Sequence, residues 1–243
     1  MTLRSAMVLV GLGVLQSGQA WCVEDEFPHS FEVTTTERVN FSPGGTIRLN
    51  DSYGYTSIDG WDQPQVEIKV IKSTNRFFNP SEEEEAKQKL ALIHVTTERV
   101  SETELSITTA RPLRKDRVPP LPRTVSEGVT VELQIHVPND SRLTIHQDNG
   151  YVWVSDVTGD IEARSHTGDM IVMLPDPGPY AIDAKSRLGS VSSDFVGHGI
   201  KQFVFGTGFT RPVEGSSRRV YLRMGRGSIT IKQSPPIITP HAN

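Results

Sequence analysis

Asp160, Glu162 and Asp169 are the carboxylates of this chain whose spacing could do chemistry. Asp160 and Asp169 stand nine residues apart, each directly after a glycine, Gly159 or Gly168. If the segments that hold them stack as neighbouring strands about 4.8 Å apart, the two carboxylates come close enough to share a metal ion. That separation is also near the roughly 5–5.5 Å of a retaining glycosidase pair. A plainer reading competes: aspartate after a corner glycine bonds its own turn backbone. The units also lack the Gly-Gly-x-Gly-x-Asp pattern of calcium-binding β-rolls. The turn reading is preferred, and no residue is assigned as catalytic, cofactor-binding or metal-ligating.

Other side chains lead to the same place. Tyr151 and Trp153 fall on alternate positions of one segment, so both face the same way. Exposed aromatics stack against sugars or partner chains. Coverage by another strand or loop is the favoured alternative, because Ile171 and Met173 share that face. Setting nine-residue units in register puts Tyr151, Asp160 and Asp169 in one outward column and Trp153, Glu162 and Ile171 in the next. Tyr151, Trp153, Asp160, Glu162 and Asp169 are therefore the candidate surface-contact residues. His136, His146 and His166 lack a short ligand spacing such as H-x-x-x-H and read as polar strand residues. There is no G-x-S-x-G elbow, phosphate loop or H-E-x-x-H.

The elements that must position these residues are strands. Thr46–Asn50, Val66–Ile71, Leu92–Val95, Glu104–Thr108, Val129–Val137 and Arg142–His146 alternate apolar and polar residues, and Pro138 should end the longest. Gly54–Asp62 reads as a short strand closed by an Asp59–Gly60 turn. One helix is expected over 81–91, with Ser81 as cap, Glu84 as its capping-box partner, and Glu83/Lys87 and Glu85/Lys89 as i,i+4 pairs. The glutamates there read as a solvated helix start.

Gly150, Gly159 and Gly168 recur every nine residues, each followed by alternating apolar positions, and Gly189 and Gly227 repeat the opening. Gly54 echoes it. A fixed period with glycine at the corner marks a stacked β-repeat. Ordering nine residues costs roughly 13 kcal/mol at about 1.5 kcal/mol each. Burying the few inward side chains, such as Val152, Val154 and Val157, returns only about 1.5–3 kcal/mol apiece. Such units must stack to survive. The expected fold is all-β, a single-domain right-handed β-helix or solenoid-like stack of short strands, with an irregular β-sandwich as the alternative.

Residues 1–20 read as a signal peptide: Arg4, the apolar stretch Ala6–Leu15, and small residues Gly18 and Ala20 before the cleavage point. About ten apolar residues are too few for a helix across a bilayer, which needs roughly 20. Residues 21–30 form a flexible mature N-terminus, 31–233 the β domain with an exposed Pro-rich loop at 111–128, and 234–243 a disordered tail. Cys22 is the sole cysteine, so core packing must hold the fold together. A net charge of −4 gives no basic footprint for nucleic acid.

The residues Thr46–Asn50, Gly54, Ile58–Asp62 and Val66–Val70 resemble the opening of a bacterial putative-adhesin family, exported all-β domains of unknown function. Val137–Pro138, Gly150-x-Val-x-Val, Gly159-Asp-Ile, Gly168-Asp-Met and Gly227–Ile231 resemble its repeat. The resemblance covers Phe31 to Lys232. It implies a solenoid-like fold and no activity, cofactor or catalytic residue. The expectation is an exported non-catalytic envelope protein, periplasmic or on the cell surface, that contacts an envelope protein, a glycan or the cell wall, with no nucleic-acid partner and no transmembrane segment in the mature chain. Alternatives are a glycan-active lyase or hydrolase on a β-helix scaffold, and an accessory module of an envelope-stress system.

Overall fold

The computed structural model describes residues 30–51, 53–75, 82–110, 129–175, 178–201, 206–213, 215 and 218–234. Residues 1–29 (the expected signal peptide among them), Ser81, the expected Pro-rich loop at 111–128 and the residues beyond Ser234 lie outside the described residues. The all-β class expected from the sequence is what the structure shows. Along the chain run β1 (Glu32–Asn40), β2 (Thr46–Asp51), β3 (Gly54–Trp61), β4 (Gln65–Thr74), α1 (Glu83–Ala91), β5 (His94–Ser101), β6 (Glu104–Ala110) and β7 (Val129–Pro138). β8 (Arg142–Ser155), β9 (Ile161–Pro175), β10 (Tyr180–Leu188), β11 (Val191–Ser193), β12 (His198–Lys201), β13 (Thr207–Arg211), β14 (Arg218–Arg226) and β15 (Ile229–Ser234) follow. All fifteen strands join one sheet.

That sheet has two walls meeting at a line of glycines. β8 and β9 each pass through the bend as one strand, at Gly150 (φ 134°) and Gly168 (φ 131°). On the first wall the early arm of β8 pairs in parallel with β2 and with β9, and β9 continues to β14 and then β10. On the second wall the late arm of β8 pairs with β3 and β9, and β9 continues to β15 and then β11. β6 and β7 add parallel arms beside β2 and β3. Antiparallel β5, β4 and β1 finish one end of the stack, and β13 and β12 the other.

The corner explains the glycine pattern. Gly54, Gly150, Gly168, Gly227 and Gly189 all hold positive φ, between 127° and 150°. A Cβ on Gly150 would sit 1.9 Å from the Gly54 carbonyl oxygen, and one on Gly168 1.7 Å from that of Gly150. The series continues at 1.6 Å from Gly227 to Gly168 and 2.0 Å from Gly189 to Gly227. Each glycine therefore leaves the space that the next carbonyl fills. The repeating unit is thus a bent rung spanning eighteen residues from Gly150 to Gly168, twice the expected nine. Gly159 serves a different place. It has no positive φ and packs against the Ser141 carbonyl, in the short return Asp156–Asp160 between one rung and the next.

Stacking does not follow chain order. The corner glycines stack as 54–150–168–227–189, so β14 and β15, late in the chain, lie between β9 and the earlier β10 and β11. Likewise β2 and β3, the first corner in the chain, separate β8 from the later β6 and β7.

Alternation fills the space between the walls. Leu143, Ile161, Val220 and Ile182 form one buried row of the first wall, and Ile145, Ala163, Leu222 and Ala184 the next. On the second wall Ile58, Val154, Val172 and Ile231 align, as do Val152, Met170 and Ile229. Val157 points inward from the return loop, fully buried. A largely polar row lies next to the corner: Asp51, Gln147, Ser165 and Ser186 are all buried, with buried Met224 between the two serines. Gln147 Nε2 donates to the Gly54 carbonyl (3.0 Å) and Ser186 Oγ to that of Gly227 (2.7 Å). Polar side chains are tolerated here because the bend strips corner carbonyls of part of their ladder.

Three local expectations are corrected. α1 starts at Glu83 with Glu82 as N-cap and no side-chain cap bond, although Lys87–Glu83 (2.8 Å) and Lys89–Glu85 (2.7 Å) form as expected. Leu92 terminates this helix, and β5 begins only at His94. Asp59–Gly60 is no turn: β3 runs through it, and Gly60 makes room for the Asp156 carbonyl.

The corner makes a sharp demand. Gly168→Ala should lose more than about 3 kcal/mol, combining backbone strain with a clash the neighbouring rung cannot relieve. Gly199→Ala, where an added Cβ meets nothing within 4 Å, should stay within about 0.5 kcal/mol. Chemical denaturation of both variants provides the check.

Candidate functional site

The outward face of the second wall brings together Tyr55, Tyr151 and Trp153. Tyr55 and Tyr151 each follow a corner glycine and are register partners on β3 and β8. Tyr55 and Tyr151 are 37% and 56% exposed, so no strand or loop among the described residues covers Tyr151, against the coverage reading. Trp153 lies two residues along the same face, half-buried, with Ile171 beside it on β9. Neighbouring strands lie about 4.8 Å apart, so the two tyrosines stand side by side on adjacent parallel strands. Tyr55 was missed in the sequence, although Gly54-Tyr-Thr-Ser-Ile58 matches Gly150-Tyr-Val-Trp-Val154 closely enough to have found it.

The carboxylates are distributed differently from the expected columns. Asp169 does pair with Tyr151, and Ile171 with Trp153. Glu162, however, belongs to the first wall, where it pairs with Thr144 and Tyr221. Asp160 lies in the return loop before β9, outside any row with Asp169. The shared-column arrangement therefore fails, because the bend at Gly168 carries the two halves of β9 onto different walls. Each aspartate has a structural task of its own. Asp160 Oδ1 accepts the Arg219 backbone N–H (2.7 Å) and Asp169 Oδ1 that of Ser228 (2.9 Å). Both bonds reach to the adjacent rung, fifty-nine residues on, and not to the aspartate's own turn. Glu162 accepts from Arg164 Nε at 3.0 Å.

The histidines are separated too. His136, on β7 of the second wall, stacks on Trp61 with centroids 5.1 Å apart, its Nδ1 3.6 Å from Glu67. His146 and His166 stand on the outer face of the first wall, both exposed. Among the described residues, no three His, Cys, Asp or Glu side chains gather closely enough to hold a metal ion.

Two concavities among the described residues bear on the site. One, about 190 Å³, lies between β1, β4 and β5, lined by Thr35, Ile68, Val70, Lys72 and Val95. Lys72 Nζ donates to the Ile93 carbonyl (2.6 Å), and burial lowers its pKa. The other is a shallow groove of about 560 Å³ lined by Asp183, Thr210, Arg211, Arg219 and Tyr221.

No family model matches the sequence, and no curated protein matches it. Solved structures similar to this chain are of bacterial proteins described as putative adhesins. One, a putative cell adhesion protein from Clostridium sporogenes, is 16% identical, with a TM-score of 0.46 over 83% of this chain and 100% of that one. A putative adhesin from Parabacteroides merdae is 10% identical, with a TM-score of 0.30 over 82% of this chain and 80% of the other. Another, from Bacteroides fragilis, is 12% identical, with a TM-score of 0.22 over 83% and 97%.

Two measurements follow from this geometry. Asp160→Ala and Asp169→Ala should each cost about 1 kcal/mol through the lost bond to the neighbouring rung, while Tyr151→Ala stays within about 0.5 kcal/mol, as judged by urea titration. For Lys72, the folded pKa lies below the unfolded value, so the unfolded chain holds more protons between the two. The stability conferred by Lys72 must therefore rise with pH across that window. Denaturation of the wild type and Lys72→Met as pH is raised toward the ordinary lysine value of 10.5 should show the difference moving in favour of the wild type as the lysine loses its proton.

Proposed function

We propose that this chain is an exported, non-catalytic cell-envelope protein that acts by contact, offering a regular β surface to an envelope protein, a glycan or the cell wall. The observation that carries the reading is the pair of exposed, register-matched tyrosines, Tyr55 and Tyr151, beside Trp153 on the second wall. Aromatic rings held rigidly on a sheet give apolar contact area at little cost in side-chain entropy, which suits recognition by stacking. The carboxylates favour the same reading. Asp160 and Asp169 are engaged with backbone N–H groups of the next rung, and Glu162 faces Arg164. Export rests on the apolar stretch Ala6–Leu15 with Gly18 and Ala20 behind it. No helix among the described residues is long and apolar enough to cross a membrane.

The test is a glycan-array screen of the full chain beside a pull-down from envelope extract. Expected is capture of a defined glycan or protein without turnover, weakened at least about tenfold by the Tyr55→Ala/Tyr151→Ala double variant at unchanged thermal midpoint. Shortened oligosaccharide products would support the enzyme reading and overturn this one.

A further inference from the structure

The outer face of the first wall differs in character from the aromatic face. Its outward positions on successive parallel strands place His146, Arg164, Arg223 and Lys185 in a single row across β8, β9, β14 and β10. Neighbouring strands are about 4.8 Å apart, so the row is a line of basic side chains at close, regular intervals, running across the strands. Beside it Tyr221 lies in the adjoining row, paired with Glu162 and Asp183. Arg223 and Arg164 stand over the Tyr221 ring, at 3.7 and 5.2 Å from its centroid. Arg223 is also fixed by Asp183, Nη2 to Oδ2 at 2.7 Å. These arginines are therefore held in place by their neighbours.

Two more cations, Arg187 and Arg219, join Lys185 around them. The side chains of Lys185, Arg187 and Arg219 have no carboxylate in ion-pair range among the described residues. Arg187 and Arg219 are exposed. The shallow groove of about 560 Å³ opens on this face and takes Arg211, Arg219 and Tyr221 into its lining. All this positive charge collects on a chain whose net charge is −4. Glu162 and Asp183 in the adjoining row offset Arg164 and Arg223, so the excess positive charge lies on Lys185, Arg187 and Arg219 and points to a partner of opposite sign.

We propose that this face binds a linear acidic polysaccharide, its sugar carboxylates meeting Lys185, Arg187 and Arg219, the cations that stand around the ion-paired Arg164 and Arg223. Charge complementarity selects an anionic polymer. The regular spacing of parallel strands selects an extended chain, and Tyr221, with the groove beside it, gives a sugar ring an apolar edge to rest on. Arginine suits the task because its planar fork meets a carboxylate with two parallel bonds, and Arg187 and Arg219, unlike Arg164 and Arg223, have no carboxylate of the described residues on theirs. The proposal rests on the reading of this chain as a contact protein and names the chemistry of one of its partners.

The test measures binding of the full chain to polygalacturonate, with neutral dextran, single-stranded DNA and phosphatidylglycerol vesicles as comparison probes, across a series of salt concentrations. Polygalacturonate should bind tightest of the four and weaken steeply with salt. The triple variant Lys185→Ala/Arg187→Ala/Arg219→Ala, at exposed or half-exposed positions, should keep its thermal midpoint and bind at least about tenfold more weakly. Tyr55→Ala/Tyr151→Ala, on the other wall, should bind polygalacturonate as the wild type does. Equal binding to DNA or vesicles would reduce the face to charge adsorption and overturn the proposal, as would retention of affinity by the triple variant. Capture of another partner through Tyr151 with no polygalacturonate binding would sink this proposal and leave the contact reading standing. Release of new reducing ends from bound polygalacturonate would do the reverse.

Discussion

Everything in this fold depends on how closely one rung's backbone approaches the next at the bend. A carbonyl oxygen from each corner occupies the volume where a side chain would begin on the following corner, at 1.6 to 2.0 Å from the hypothetical Cβ along the line from Gly150 to Gly189. Only glycine permits that approach, and only glycine adopts the positive φ at no steric cost. The bend then dictates the rest. It turns one alternating strand into two arms, points alternate residues of both arms into a shared interior, and leaves two outer faces with different chemistry. The buried polar row of Asp51, Gln147, Ser165 and Ser186 is a consequence of the same bend, since carbonyls beside a corner need partners the ladder does not supply.

Much of this was legible in the sequence. The glycines at 54, 150, 168, 189 and 227 do occupy one equivalent corner, and the inward placement of Val152 and Val154 on β8, and of Ile161 and Met170 on the two arms of β9, follows from alternation within each arm. The true period was not legible. Gly159 carries the same local pattern as its neighbours, and nothing in a string of letters separates a glycine needed for positive φ from one needed to admit a carbonyl in a return loop. That one ambiguity halved the rung and placed Asp160 and Glu162 in the wrong rows. β14 was also overlooked, because Arg218, Arg219, Arg223 and Arg226 obscure the alternation of Val220, Leu222 and Met224. Stacking order was beyond reach, since parallel partners distant in sequence share no local signal.

The two outer faces show how such a frame comes to carry function. Inward positions are fixed by packing, whereas each outward position is free to vary without disturbing the core. A row of outward residues on parallel strands becomes a surface of regular pitch, aromatic at Tyr55 and Tyr151 and basic at Arg164, Arg223 and Lys185. Repetition of one bent unit thus converts single exposed residues into extended arrays, which is what contact with a polymer or a broad partner surface requires.

The stack's cohesion is most directly tested by amide hydrogen exchange under native conditions. β14 and β15 come last among the described strands, yet they separate β9 from β10 and β11. Cooperative stacking predicts that amides of β9, β14 and β10 exchange at one common, slowest rate, with the end strands β1, β5 and β12 opening far sooner. If β14 and β15 instead open ahead of β10 while β10 stays protected, the rungs do not depend on one another, and the glycine-cornered stack is not what holds this protein together.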